Sequence, residues 1–356
     1  MVISIELILF LLILCVSLGK SRDNYYFRRL PYIIIFLFMA IRYNYGDGVA
    51  YRQIFTELNN GINVNDLEIG YVLLNRFLPS FDMVVVVTSG FYVAAVYLLV
   101  SKVLTYEQRF LALLILVLHP YILMIDMSAI RQGIAIAFVI MGTYIANKYG
   151  ALYFVIFCLT ATLFHKSAII MLPILFLFNN KHFKSATKCL IFVGTVAFLA
   201  IPDKLFEVTE IALKLVGLNT PNYIYYLHNG NTNGKIAVAI SIGILVFLLL
   251  CENIVDEKDA IYVKLSIFAQ VFEALQGVAQ QFGRVDMYFL PFLIVSLPLI
   301  LKSSQKNPQI SCFGKDVVLG ANVCKLIELG IILIFARKLV GFLKPDYLYH
   351  SIFTIS

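Results

Sequence analysis

The sequence predicts an all-α, polytopic integral membrane protein with roughly eleven or twelve spanning helices and almost no soluble domain. Two observations carry this. Of 356 residues, 61% are hydrophobic and only 14% charged, and the mean hydropathy is +0.87. A soluble domain is nearer half apolar and a quarter charged, so water would not solvate a surface of this composition. The apolar residues also fall in runs centred on 2–18, 28–41, 83–100, 109–125, 129–147, 150–164, 167–179, 188–201, 236–251, 260–281, 286–301 and 317–343. A span needs about 20 residues, so twelve would consume about 240 and leave loops but no separate globular domain. The expectation is one transmembrane domain over residues 1–356.

Each run is bounded by a short hydrophilic break. The N-terminal run lacks a basic n-region and an Ala-x-Ala site, so it reads as a retained first helix. Orientation follows from Lys and Arg in the short loops. The break with Lys20, Arg22, Arg28 and Arg29 is placed in the cytoplasm. Alternation then adds 101–109, Lys148, 179–188, 252–259 and 302–316, and these six segments hold fourteen Lys and Arg. The acidic segment 252–259 dissents, but acidic residues weigh little in this rule. Two larger loops, about 42–82 and 202–235, fall outside. The net charge of +7 is therefore a topology signal and not a nucleic-acid footprint. Six scattered cysteines with no CxxC pair exclude a disulfide framework or zinc site as the expectation.

Five polar groups interrupt this pattern, all toward the expected outer side. An ionisable residue in a span costs about 2.5–3.5 kcal/mol at the helix centre, so such residues usually face a cavity or a partner. Arg42 ends the second run, with Asp47 between Gly46 and Gly48 and Tyr51 beyond. Glu68-Ile69-Gly70-Tyr71 follows, with Asn75 and Arg76. Ser128, Arg131 and Gln132 open an otherwise apolar helix whose Ala129, Gly133 and Ala137 recur every four residues, a close-packing face. A helix start plus an Arg suits phosphate. Phe164-His165-Lys166-Ser167 separates two runs, and a His can act as base or donor. Glu273, Gln276, Gln280 and Arg284, spaced by three, four and four, would share one helical face about 16 Å long, with Tyr288 following. No P-loop, GxSxG or HExxH is present, so nucleotide-driven chemistry is not expected. A lipid phosphate donor fits better, because it arrives in the bilayer.

Taken in order, Arg42-x-x-x-Gly46-Asp47-x-x-x-Tyr51, Glu68-x-Gly70-Tyr71, Arg131-Gln132-x-x-Ala135, Phe164-His165-Lys166-Ser167-Ala168 and Gly283-Arg284-x-x-x-Tyr288 resemble the EpsG-like family of exopolysaccharide polymerases, relatives in role of the Wzy-type O-antigen polymerases. The resemblance implies a glycosyltransferase-C-like membrane architecture in a bacterial inner membrane. It implies transfer of a growing glycan from undecaprenyl diphosphate to a lipid-linked repeat unit on the outer face, in O-antigen, lipopolysaccharide or exopolysaccharide synthesis. On that reading Arg131, Arg284 and Arg42 hold the diphosphate, and Asp47, Glu68 or His165 takes the proton from the attacking hydroxyl. Tyr51, Tyr71, Gln132, Gln280 and Tyr288 contact the glycan. Neither metal nor cofactor is required, because arginines can carry a metal's electrostatic role. Expected partners are lipid-linked glycans, membrane lipids and, by resemblance only, a chain-length regulator.

Three other readings compete. A flippase or transporter for the same lipid-linked glycan would also want basic residues in a cavity, but transporters commonly carry internal repeats and none is evident. A membrane acyltransferase would use His165 or His119 as base, although His119 precedes Pro120 and suits a helix break. A non-catalytic scaffold would use the polar stripe for assembly.

Overall fold

The computed structural model describes Leu14 and residues 28–44, 46–62, 64, 67–179, 181–215, 234–306, 309–312, 315–318, 321–342 and 350–351. The first apolar run lies almost wholly outside the described residues. The described residues are helical nearly throughout. In order, the helices are α1 (Leu30–Ala40), α2 (Gly48–Asn59), α3 (Ile69–Phe77), α4 (Phe81–Val103), α5 (Tyr106–Leu118), α6 (Pro120–Ser128), α7 (Ile130–Tyr149) and α8 (Leu152–Thr162). A 3₁₀ helix covers Lys166–Leu177. Then come α9 (Ser185–Ala200), α10 (Pro202–Leu215), α11 (Lys235–Cys251), α12 (Ala260–Leu275), α13 (Gln281–Asp286), α14 (Leu293–Lys306) and α15 (Ala321–Phe342). Two short antiparallel ladders pair Arg42–Asn44 with His350–Ser351 and Gln309–Cys312 with Lys315–Val318.

Among the described residues, three helical segments are long and apolar enough to cross a membrane: Phe81–Val103, Ile130–Tyr149 and Lys235–Ile254. At about 1.5 Å per residue, the 23 residues of α4 reach about 35 Å, more than the hydrocarbon core. Ser80 caps α4 by accepting a hydrogen bond from the Met83 N–H at 3.3 Å. Five more apolar helices have 10–17 residues. The last helix, α15, has 22 residues but carries Lys325, Glu328, Arg337 and Lys338 and is not among the candidate spans.

Several apolar runs are not single helices, for local reasons. The run 109–125 breaks at His119, which is extended and ends α5 before Pro120. Proline disfavours helical backbone in the residue before it and then starts the next helix with no N–H to satisfy. The run 167–179 is a 3₁₀ helix containing Pro173. The expected continuous face from Glu273 to Arg284 is also corrected. Helix α12 ends at Leu275, residues 276–280 form turns, and the six-residue α13 follows. There Gly277 N–H donates to Ala274 O and Val278 N–H to Leu275 O, so the ladder tightens and stops. A side chain at Gly277 would clash with Val238.

The chain divides into two compact units. The first holds 1–148, 152–168 and 329–356; the second holds 149–151 and 169–328. In the first, α1 packs on α4, and the Tyr92 hydroxyl donates to Ile122 O at 2.6 Å to tie α6 to α4. In the second, α11 lies along α12, which also contacts α9 and α14.

Candidate functional site

Four of the sequence motifs meet in the first unit. Glu68 is the residue before α3, extended, and its side chain makes no helix cap. Its carboxylate therefore reaches across the chain. Oε2 accepts from Arg131 Nη1 at 2.7 Å, and Oε1 accepts from the Lys166 backbone N–H at 3.1 Å. His165 Nδ1 stands 3.5 Å from Oε1, long for a hydrogen bond. Neither ring nitrogen of His165 has a hydrogen-bond partner, and both are shielded from solvent. Arg131 Nε likewise has none. The cluster thus joins an acid engaged at both oxygens, one partly committed cation and one imidazole held only by a long contact to that acid.

Two glycines explain how the motifs come so close. The Gly70 N–H donates to Leu163 O at 2.8 Å, and a Cβ there would lie 2.7 Å from that oxygen. The start of α3 can sit on the Phe164-His165 turn only because residue 70 has no side chain. Gly46 has φ +54, and a Cβ there would strike Ser128, just before α7. The first motif is thereby seated against the third.

Beneath the cluster lies a hydrophobic floor including Tyr51, Tyr71, Phe81, Val84, Ile130 and Ile134. The Tyr51 and Tyr71 rings meet edge to face at 5.8 Å. Burial pushes both phenols up from their ordinary range, while the Arg131 guanidinium beside them opposes the shift. Burial alone would also raise the Glu68 carboxyl. The His165 ring, the Arg131 charge and the Lys166 N–H outweigh it and hold the group at about 2. Glu68 is therefore a carboxylate at any physiological pH.

The remaining expected residues are placed as follows. Arg42 is buried and donates from Nη1 to Met39 O at 2.6 Å and to Ser89 Oγ at 2.7 Å, binding the end of α1 to α4. Asp47 is exposed at the start of α2, and Gln132 is buried in α7. Gln280, Arg284 and Tyr288 belong to the second unit, where Gln280 and Arg284 are exposed and Tyr288 is fully buried.

The second unit contains charged groups that the sequence reading passed over. Glu252 is 0% exposed; it pairs with Lys188 Nζ at 3.0 Å, lies 3.3 Å from His182 Nδ1, and accepts from the Phe183 N–H at 3.0 Å. Lys264, 1% exposed in α12, donates to Leu177 O at 3.2 Å and Asn179 Oδ1 at 3.0 Å. A lysine inside an apolar run was the available signal. Among the described residues, no group of three His, Cys, Asp or Glu is placed to hold a metal ion.

These features define a helical membrane protein with a half-buried Arg–Glu–His cluster, Glu68 at its buried centre, where a loop meets an apolar helix. The chain matches the EpsG family over residues 25–314 and belongs to it. Membership places it among polysaccharide-polymerase-type membrane proteins. No curated protein and no solved structure matches it.

Proposed function

We propose that this protein polymerises a lipid-linked glycan on the outer face of a bacterial inner membrane. The growing chain leaves undecaprenyl diphosphate and joins the non-reducing end of a new lipid-linked repeat unit. The observation that carries the reading is the Glu68–Arg131–His165 cluster. In it a cation suited to a diphosphate and an imidazole are gathered on one carboxylate, the imidazole by a long 3.5 Å contact only. Arg131 stabilises charge as it develops on the departing diphosphate. The acceptor hydroxyl oxygen bonds to the anomeric carbon, the bond from that carbon to the diphosphate oxygen breaks, and the diphosphate leaves with the electron pair. His165 takes the hydroxyl proton.

Glu68 serves this chemistry as a positioning residue. A carboxyl held at about 2 is a weak base, and both its oxygens are engaged. It fixes Arg131 and the loop that carries His165. Tyr51 and Tyr71 support the floor, and Asp47 stands exposed beyond Gly46. Arg42 holds α1 to α4, so its part in diphosphate binding is indirect on this reading.

Deleting the gene and sizing the surface glycan tests the proposal. A polymerase deletion leaves single repeat units at the surface. Absence of any surface glycan, with lipid-linked units retained inside, would overturn the reading in favour of a flippase. Long chains lacking only an acyl group would do so in favour of an acyltransferase.

A further inference from the structure

We infer that α3 lies in the membrane surface, with Ile69, Leu73 and Phe77 sunk into the outer leaflet, and that this sets the depth of the Glu68–Arg131–His165 cluster. The three residues recur every four positions and so share one side of the helix. They are 58%, 45% and 82% exposed. The opposite side carries Tyr71 and Asn75, both 0% exposed, and Tyr71 belongs to the hydrophobic floor under the cluster. A helix bathed in water on its outer side would turn its polar groups out. In α3 the Asn75 amide is turned in, donating to Tyr71 O at 2.7 Å, and the apolar stripe is turned out. Arg76 stands exposed beside that stripe, as a basic residue does at the edge of an interfacial helix.

Three anchors say what covers the stripe. After α3, only Leu78, Pro79 and Ser80 separate Phe77 from Phe81, where the candidate span Phe81–Val103 begins. Four residue steps reach at most about 14 Å. Before α3, Glu68 holds Arg131 at 2.7 Å, and Arg131 is the second residue of the candidate span Ile130–Tyr149. On the Lys and Arg alternation both spans begin on the outer side. Along its flank, α3 touches the end of α8, where the Gly70 N–H donates to Leu163 O. Leu163 completes an exposed row with Leu152, Ile156 and Leu159, spaced by four, three and four along an apolar helix. That row meets acyl chains, and the stripe of α3 continues it. At about 1.5 Å per residue, α3 is about 14 Å long, too short to cross the bilayer and suited to lying along it. The Arg52–Asp82 pair at 2.9 Å marks the wet edge where α4 starts. The segment 42–82 is therefore not a wholly aqueous loop. The use of this depth for meeting a lipid-borne phosphate rests on the polymerase reading; the insertion of α3 does not.

The chain contains no tryptophan, so a single introduced one reports alone. The full chain carrying Ile69→Trp, Leu73→Trp or Phe77→Trp is reconstituted into liposomes of phosphatidylcholine brominated on the upper acyl chain. All three positions are exposed, so the replacements leave the core untouched. Their fluorescence should fall by at least about twofold relative to unbrominated lipid, because the stripe sits within about 5–10 Å of the headgroup boundary. It should resist iodide supplied on both sides of the membrane. Asn60→Trp, exposed just past the end of α2, should show the reverse. Quenching of the stripe by iodide and not by brominated lipid puts α3 in water and overturns the insertion. Resistance to both quenchers means that protein covers the stripe, such as a second copy of the chain, and also overturns it. If the insertion fails while Arg131→Ala abolishes polymer, the polymerase reading stands without it. If brominated lipid quenches the stripe while gene deletion leaves polymer length intact, the insertion stands and that reading falls.

Discussion

Glu68 and Glu252 are held by the same device in different units, and the contrast separates a working site from a fastening. Each is a buried carboxylate near a His Nδ1, at 3.5 Å for His165 and 3.3 Å for His182. Each accepts from the backbone N–H of the residue after that His, and each pairs with a cation. The cations differ. Arg131 meets Glu68 through one terminal nitrogen and leaves Nε unpartnered. Lys188 divides its ammonium between Glu252 and Asn253 Oδ1 at 2.8 Å. An arginine can hold a carboxylate and still present a planar set of donors to a phosphate; a lysine is a point charge. The Glu68 cluster therefore has bonding capacity to spare, and the Glu252 cluster is a tie between two loops.

The comparison breaks most readily at Arg131. Arg131→Ala should reduce polymer to single repeat units, a loss of at least about 10²-fold for removing a principal electrostatic donor. His165→Ala should cost about 10²–10⁴-fold in polymer made per molecule; for abundance it removes only the long 3.5 Å contact to Glu68. Full-length polymer from either variant, measured on a glycan ladder, removes the site from the catalytic reading.

A paired substitution sharpens it further. Glu252→Gln removes the buried charge that Lys188 pairs with, but Lys188 is partly exposed and keeps Asn253 Oδ1, so the cost should be about 1.5–3 kcal/mol, that of a hydrogen bond to a charged group. Membrane abundance should fall while polymer made per molecule stays constant. Glu68→Gln should lower polymer per molecule, because Arg131 and the His165 loop lose their anchor. Equal activity per molecule in the two variants would erase the distinction between site and tie.

The acid side offers a smaller effect of known sign. Glu68 falls from an ordinary value of 4.5 to about 2 in the folded chain. A depressed carboxyl contributes stability that is fully present above its unfolded value and is lost as pH falls toward its folded one. That is roughly 3 kcal/mol between about pH 4.5 and 2. Melting of the purified protein should therefore drop through this window, and the drop should shrink in Glu68→Gln.

Much of this was legible in residue order, and the failures have physical causes. The helical membrane class follows from composition and from the lengths of the apolar runs. The motifs around Arg42, Glu68, Arg131 and His165 were visible as charges that lipid would penalise. Their seating was not, because it depends on Gly46 against Ser128 and Gly70 against Leu163 O, distant in sequence and unmarked by charge. The stripe from Glu273 to Arg284 had helical spacing, yet the helix stops at Leu275. Periodicity reports which residues would share a face if the ladder continued and cannot tell where it stops. Glu252 was seen only as an acidic exception in a basic loop, since its burial comes from His182, Phe183 and Lys188 on another segment.

The finest test of how the site is built lies at Gly70, and no charge is touched. Gly70→Ala keeps the backbone N–H that donates to Leu163 O, and no positive φ stands in the way of an alanine. It adds one methyl, which would lie 2.7 Å from that carbonyl oxygen. Either the α3 start or the turn after α8 must shift. Overpacking of this kind costs about 1–3 kcal/mol, and the shift separates Glu68 from Lys166 N–H and His165. Polymer made per molecule should fall by a few-fold to tenfold, well short of Arg131→Ala. Gly194→Ala, whose new methyl meets nothing within 4 Å, is the matched control and should melt at or slightly above the parent, since alanine favours the helix interior. If Gly70→Ala also behaves as the parent in activity and melting, the close seating of the second motif on the fourth is not what aligns Glu68.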